Sequence, residues 1–161
     1  MNTRMVLKSL GIVIMTEGLC MVLPLIVSLI YGQGDAMSFV VSILVSVAAG
    51  FILYRIPIKN RNFYARDGFA VVALSWIVIS LFGSVPFIIS GAIPSFIDAF
   101  FETVSGFTTT GSTILQEIES LPKGILFWRS FTHWMGGMGV LVLTLAVLPS
   151  IGVGSLHIMK A

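Results

Sequence analysis

The sequence predicts an all-α transmembrane fold, in which two leading helices precede one helix–re-entrant loop–helix unit. Hydrophobic residues make up 57% of the 161 residues and charged residues only 10%, whereas a soluble domain carries about 25% charged residues. The mean hydropathy of +1.03 is that of a chain whose solvent is the bilayer. Four apolar stretches reach the roughly 20 residues that a spanning helix requires. Basic residues are also distributed unevenly between the loops, as they are in multi-pass membrane proteins.

The four predicted spans divide the chain into segments. They cover residues 5–31, 37–54, 69–89 and 125–148. The turn between the first two spans is too short to form a domain, and Pro149, followed by Gly152 and Gly154, is expected to end the fourth span. The predicted organisation is a leading helix pair at 1–56, a basic loop at 57–68, the helix–loop–helix unit at 69–148 and a linker at 149–161.

Lysine and arginine positions predict how these spans are oriented. Seven of the nine basic residues fall on one side of the membrane, namely Arg4, Lys8, Arg55, Lys59, Arg61, Arg66 and Lys160. Only Lys123 and Arg129 remain for the other side. Both ends of the chain and the 57–68 loop are therefore expected to be cytoplasmic. The net charge of +2 is too small to favour binding to nucleic acid.

The segment 91–124 begins and ends on the external side, so it is expected to be a loop or a re-entrant hairpin. Its first part is apolar and predicts a short helix at about residues 95–105. Ser95 and Asp98 fit the S-x-x-D capping box, in which the hydroxyl accepts from a free N–H and the acid lies at the positive end of the helix dipole. About ten residues are too few to cross a bilayer, which favours a re-entrant helix.

A polar loop follows that helix at residues 108–112, with the sequence Thr-Thr-Thr-Gly-Ser. Non-helical backbone at membrane depth is tolerated only where it is buried in protein or lines water. Rings of carbonyl oxygens can replace the hydration shell of a potassium ion, and Gly111 permits backbone angles that other residues resist. The short helix would direct its negative end toward a cation there. The combination of a short helix, a threonine–glycine loop and a second span, in that order, indicates an ion filter more strongly than the loop does alone.

Five stretches resemble the membrane subunit of Trk-type potassium uptake systems, in the Trk/Ktr/HKT superfamily: RDGF (66–69), DAFFE (98–102), TTTGST (108–113), LPKGILFWR (121–129) and WMGGMGVLVL (134–143). That family has two leading helices and four potassium-channel-like helix–pore loop–helix repeats around one pore. The resemblance implies that this chain supplies the leading pair and the first repeat, which is one of four filter walls. It implies potassium as the transported ion, with no organic cofactor. It assigns the potassium-binding carbonyls to Thr109, Thr110 and Gly111, with Thr108 and Ser112 as flanking candidates.

The resemblance also implies the partners. They are the remaining three repeats of a longer chain, a second copy in a homodimer, a cytoplasmic nucleotide-binding gating subunit and the lipid bilayer of the bacterial inner membrane. This sequence has no G-x-x-x-x-G-K-[ST] loop that would bind the nucleotide itself. We expect a fragment of a longer chain, and a short form that assembles as a tetramer is the alternative. Channel-like and ion-coupled transport both stay open.

Three charged residues in apolar segments need an explanation. Glu102 lies on the short helix, where we expect its carboxylate to hydrogen-bond the filter loop and hold its shape. Arg129 is expected to extend to the membrane interface, with Trp128 and Trp134 in the aromatic belt, although a charge at membrane depth also marks functional sites. Glu17 lies within the first span and is expected to pair with another helix, but the sequence shows no partner.

Two other classes of function compete with an ion pore. A hydrolase would use Ser105 or Ser112 as nucleophile and His133 as base, but the sequence has no G-x-S-x-G elbow and nothing places His133 beside either serine. We therefore predict no catalytic residue. No other metal site is predicted either, because His133 has no second ligand nearby and Cys20 is the only cysteine. The remaining alternative is a non-conducting structural or assembly subunit of the membrane.

Overall fold

The computed structural model describes residues 2–57 and 64–158; for residue 65 and residues 143–158 it describes the backbone alone. These residues form helices and no strand, which confirms the predicted all-α class. Among the residues described in full, three segments are long and apolar enough to cross a membrane: Thr3–Tyr31, Ala36–Tyr54 and Arg66–Ile89. The helices are α1 Thr3–Cys20, α2 Val22–Tyr31, α3 Ala36–Tyr54, α4 Ala65–Gly83, α5 Val85–Ile89, α6 Phe96–Phe107 and α7 Lys123–Ile158.

Two of the spanning segments each consist of two helices that meet at a short break. Met21 separates α1 from α2, and Ser84 separates α4 from α5. A proline lies just beyond each break, at Pro24 and Pro86, where it lacks an N–H and its ring crowds the carbonyl four residues earlier. Backbone hydrogen bonds of 3.1 Å at Met21 N and 3.2 Å at Ser84 N continue the helical pattern across the breaks. Each pair therefore remains one spanning segment.

Helices α1 and α3 pack with their backbones in contact. A Cβ added to Gly11 would lie 2.7 Å from Gly50 O, and one added to Gly50 would lie 2.6 Å from Gly11 O. Neither position accepts a side chain, and small residues of this kind let membrane helices approach closely. Helix α1 also packs against α4, so the leading pair is joined to the helix–loop–helix unit.

A buried carboxylate fixes the start of α4. Asp67 is fully buried and accepts hydrogen bonds from Tyr64 N at 3.1 Å and Asn2 N at 3.2 Å. The bond to Tyr64 closes the first turn of the helix, and the bond to Asn2 attaches the N-terminal end of α1. Three residues on which the orientation prediction rests lie outside the described residues: Lys59, Arg61 and Lys160.

The last two helices differ greatly in length. With 12 residues, α6 is about 18 Å long, too short for an apolar bilayer core of about 30 Å, and it packs against α4 and α7. Helix α7 continues through Pro149 to Ile158, so Pro149, which was expected to end the fourth span, does not end the helix. A proline removes one backbone hydrogen bond, and long apolar helices tolerate that loss when the adjoining turns keep theirs. The division of 149–158 between span and linker stays a prediction.

The hydrophobic core lies where α2, α3, α5, α6 and α7 meet. Its largest member, Trp128, is fully buried. The indole N–H of Trp128 donates a hydrogen bond to Gly83 O at 2.9 Å, so the polar group of this buried ring has a partner. The core therefore fixes α7 against the junction of α4 and α5, beside α6. Its buried apolar members are Met21, Phe39, Phe87, Ile93, Ala99, Leu121, Ile125 and Trp128.

Candidate functional site

The short helix α6 begins at the predicted cap and leads into the predicted polar loop. The hydroxyl of Ser95 accepts a hydrogen bond from Asp98 N at 3.5 Å, a long bond that still caps the first turn. Asp98 lies in that first turn, where its carboxylate faces the positive end of the dipole. The helix extends to Phe107, slightly beyond its predicted end. Its negative end therefore adjoins Thr108, the first residue of the loop.

Three glycines hold α6 closely between its neighbours. A Cβ added to Gly106 of α6 would overlap the hydroxyl of Thr132 on α7, and one added to Gly136 of α7 would overlap the carbonyl oxygen of Phe107. On the opposite side, a Cβ added to Gly83 of α4 would lie 2.8 Å from a methyl carbon of α6. Helices α6 and α7 thus approach each other closely at Gly136. These contacts fix the end of α6 from which the loop starts.

The loop turns sharply at its first residues. Thr109 N donates to Gly106 O at 2.9 Å, and Thr110 N donates to Ser105 O at 3.0 Å, so two carbonyls at the end of α6 are satisfied. Thr109 has φ +57° and is the only non-glycine with positive φ in the part of the chain that is described; Gly111 has φ +77°. A β-branched residue in this region is strained, and such strain concentrates at functional sites.

The carbonyl oxygens of the loop fall into two groups. The flanking ones have protein donors: Thr108 O accepts from Thr109 Oγ1 at 2.7 Å, and Ser112 O accepts from Ser105 Oγ at 2.6 Å. Among the described residues, no donor reaches the carbonyl oxygens of residues 109–111. These are the three positions to which the family resemblance assigns potassium binding. The two groups of carbonyls therefore differ in whether the described protein supplies them with a hydrogen-bond donor.

Glu102 attaches the far side of the loop to the middle of α6. Its side chain is buried, with 1% of the residue exposed. Both carboxylate oxygens lie 3.0 Å from Thr113 Oγ1, and Oε2 accepts from Ile114 N at 3.2 Å. Arg129 Nε lies 2.6 Å from Oε1 and balances the charge. These are the contacts that a residue supporting the loop has to make, because they fix the chain just beyond Gly111.

The expectation that Arg129 extends to the membrane interface is wrong. Only 14% of its side chain is exposed, and its guanidinium pairs with Glu102. Trp128, expected in the aromatic belt, is fully buried instead, whereas Trp134 is exposed. A buried charge is costly without a partner, which explains why Arg129 turns inward to the carboxylate. Arg129 is therefore part of the loop support that the sequence attributed to Glu102 alone.

The turn between α2 and α3 contributes two further side chains that the sequence did not reveal. Gln33 Oε1 accepts from Lys123 N at 2.6 Å, and Asp35 Oδ2 accepts from Ile125 N at 3.2 Å. Both donors belong to the first turn of α7, whose N–H groups lack partners within the helix. The leading pair thus caps the helix that follows the loop. The sequence pattern for a helix cap relates residues that are three positions apart. It does not detect these caps, because their partners are separated by 90 positions.

The candidate nucleophile and base are not brought together. Ser105 Oγ donates to Ser112 O at 2.6 Å, and His133 Nδ1 lies 2.9 Å from Arg129 O. In the described ranges, no group of three or more His, Cys, Asp or Glu residues is arranged to hold a metal ion. The site is therefore built from backbone carbonyls and their supports, and its geometry does not favour hydrolysis.

Known proteins resemble this chain along its whole length. The family described as TrkH, cation transport protein, matches residues 35–161. The Trk system potassium uptake protein TrkH of Halomonas elongata is 41% identical over 163 residues, covering 99% of this chain and 34% of that protein. The protein of the same name from Escherichia coli K12 is 39% identical over 163 residues, covering 100% of this chain and 34% of that protein.

A solved structure shares the fold. The crystal structure of the potassium transporter TrkH from Vibrio parahaemolyticus superposes with a TM-score of 0.86 at 37% identity, covering 96% of this chain and 34% of that one. The fold described above is therefore that of the matching third of the known transporter. The chain spans about a third of the length of the curated relatives that it matches.

Proposed function

This chain belongs to the TrkH family of cation transport proteins, and we propose from this that it forms one of the four filter walls of a potassium-selective pore in a Trk-type uptake system. The family consists of membrane transporters and not of enzymes, in agreement with the absence of a predicted catalytic residue. One observation carries the proposal: three consecutive carbonyl oxygens, at residues 109–111, lack a donor in the described protein.

Those carbonyls are the ligands that a dehydrated potassium ion requires. Thr109 and Gly111 have positive φ and Thr110 between them does not. When the sign of φ alternates from residue to residue in this way, successive carbonyl oxygens can point to the same side of the chain. A column of ion ligands requires that arrangement. The carbonyls of Thr108 and Ser112 already accept hydrogen bonds from hydroxyls, so we assign the inner set to the ion and the flanking pair to the frame.

The electrostatics of α6 support the same assignment. The helix ends at Phe107, directly before the loop, and the C-terminal end of a helix carries about half a negative charge. A cation bound by the 109–111 carbonyls would lie near that end. The charge of Glu102 is balanced by Arg129, so the carboxylate holds the loop at residues 113 and 114 without acting as a strong competing site for the ion.

The assembly around this chain is also a proposal. We assign the other three filter walls to three further repeats of a longer chain and expect a homodimer with a cytoplasmic nucleotide-binding gating subunit, because the relatives are named as Trk system uptake proteins. Three apolar segments of membrane length support a multi-pass protein. The surplus of basic residues on one side supports a bacterial inner-membrane location with both ends of the chain cytoplasmic.

Rubidium uptake by the full-length protein carrying Gly111→Asp tests the filter assignment. Rubidium replaces potassium as a traceable ion, and aspartate tolerates positive φ better than most residues. A Cβ at Gly111 meets no atom within 4 Å, so we expect the variant to fold. Its carboxylate would obstruct the column of carbonyls and add a negative charge to it, and uptake should fall at least tenfold.

Gly91→Asp is the matched control. Gly91 has φ +73° and an added Cβ there also meets no atom within 4 Å, but it lies outside the loop. This variant carries the same backbone strain and should keep its uptake. Normal uptake by Gly111→Asp would contradict the filter assignment and favour the structural or assembly subunit.

A further inference from the structure

Glu17 is a buried acid that the pore mechanism does not use. It is the middle residue of the Thr3–Tyr31 segment and is 5% exposed. Within the described residues, neither of its carboxylate oxygens has a hydrogen-bond partner. The partner on another helix that was expected for Glu17 is not found among the described residues. Glu17 Oε1 instead faces the backbone of Gly83 on α4, at 2.8 Å from the position that a Cβ would take there.

Glu17 lies on the wall of an apolar groove of about 580 Å³ between α1, α4 and α7. Carbon atoms form nearly all of the lining, which includes Ile12, Val72, Trp76 and Met135. Thr16 also contributes to the groove, but its hydroxyl donates to Ile12 O at 2.9 Å and so stays within its own helix. The carboxyl of Glu17 thus lies in surroundings that are almost entirely apolar.

The chemistry of these surroundings restricts what the carboxyl can bind. An isolated carboxylate in an apolar site is so costly that it takes up a counter-ion or becomes neutral. A hard metal cation needs about six oxygen ligands, and the side chains that line the groove supply fewer, namely the Glu17 carboxyl and the hydroxyls of Thr16 and Ser75. A proton needs no ligand other than the carboxyl itself. We propose that Glu17 is a membrane-embedded proton-binding site, a role that goes beyond the filter assignment and does not depend on it.

In the described part of the chain, no neighbouring positive charge could neutralise the Glu17 carboxylate in place of a proton. On α1, the thiol of Cys20 is the one titratable side chain that shares the groove. On α4 the lining polar group is the hydroxyl of Ser75, on α6 the contact is Phe107, and on α7 the lining side chains up to Val142 are uncharged. On α3, the atoms nearest to a Cβ added at Gly18, the residue after Glu17, belong to Ser46, Val47 and Ile43, none of which is charged.

The site would connect proton occupancy to the packing of α6. Gly83, which the Glu17 oxygen faces, also approaches Thr103 and Phe107 of that helix. The neutral acid fits this contact without a donor, whereas the charged form would need water or a cation drawn into it. Loss of the proton is therefore expected to loosen α1 against α4 and α6.

Labelling with a hydrophobic carbodiimide tests the proposal on the full-length protein in native membranes. Such reagents enter apolar grooves and react with protonated carboxyls: the O–H adds across the N=C bond, and the adduct rearranges to a stable N-acylurea that retains every atom of both partners. We expect peptide mass mapping to find the label on Glu17 and not on Glu102, because the Glu102 carboxylate is paired with Arg129. A label on Glu102 with none on Glu17 would overturn the proposal.

Infrared difference spectra decide the protonation state independently of reagent access. The spectrum of the purified full-length protein minus that of Glu17→Gln should show the C=O band of a protonated acid at neutral pH, shifted in heavy water. A carboxylate band in its place would overturn the proposal even if the site were labelled. Neither measurement requires ion uptake, so a failed filter assignment and a failed proton site give different results.

Discussion

The surroundings of Glu102 and Glu17 show that burial alone does not decide what an acidic side chain does in this protein. The two residues are 1% and 5% exposed and lie on helices that flank the same glycine contact. Glu102 has an arginine and two donors from residues 113 and 114, just beyond the 108–112 loop, within 3.2 Å. Glu17 has no donor among the described residues. One site is built to hold a charge and the other to remain neutral.

A third buried acid lies between these extremes. Asp35 is 4% exposed and accepts hydrogen bonds from Ile125 N and from the hydroxyl of Ser28, but has no ion pair in the described part of the chain. The loss of stability on neutralising an acid should increase with the number and charge of the groups that bind its carboxylate. Removing the charge should therefore matter most at Glu102, less at Asp35 and least at Glu17.

Glu102→Gln should have the largest effect. The amide leaves the mostly buried guanidinium of Arg129 without an opposite charge, and removing one partner of a buried pair costs about 3 kcal/mol. We expect the free energy of unfolding of the full-length protein in detergent to fall by that amount, and the preference of uptake for rubidium over sodium to weaken. Glu119→Gln, at an exposed loop position, is the control and should change neither. Unchanged selectivity in Glu102→Gln would remove the residue from the filter support.

Asp35→Ala should have an intermediate effect. It removes the oxygen that accepts from Ile125 N at the start of α7, and loss of a helix cap costs about 1–2 kcal/mol. Denaturation in detergent measures the change, and Gln33→Ala, which removes the neighbouring cap to Lys123 N, should cost less because Gln33 is exposed. If Asp35→Ala destabilised the protein as strongly as Glu102→Gln, the proposed ranking by partners would be incorrect.

Glu17→Gln should have the smallest effect. The amide has nearly the shape of a protonated acid and, like it, carries no charge, so the free energy of unfolding should change by no more than the ~1 kcal/mol typical of a point substitution. The same denaturation measurement applies, made in parallel with Glu102→Gln. A loss of 2 kcal/mol or more would mean that Glu17 serves as a charged residue, and the contrast between the two glutamates would then disappear.

Local chemistry made much of the fold predictable from the sequence. Ser95 and the apolar residues after it specify α6, because a cap and a hydrophobic stretch act over a few residues. Gly111 indicated the loop for a similar reason, because the ability of glycine to adopt positive φ does not depend on distant contacts. The contact of Glu102 with residues 113 and 114 followed from its place on the same helix–loop segment.

Long-range pairing could not be predicted in this way. Arg129 lies 27 positions from Glu102, and a single sequence does not indicate which of several charges will meet. The same limit applies to Asp35, where a turn signal was visible but its partner 90 positions away was not. Pro149 gave a misleading local signal, because the helical turns on both sides of it form despite the missing N–H.

The cap that residues 33 and 35 place on α7 also has a consequence for biogenesis. At about 5–20 residues per second of synthesis, the acceptors leave the ribosome roughly 5–20 s before Lys123 and Ile125, the donors that they serve 90 positions later. The leading pair can therefore be inserted and paired before α7 arrives. In this order of events, the first two spans act as an intramolecular template that receives α7 as this helix enters the membrane.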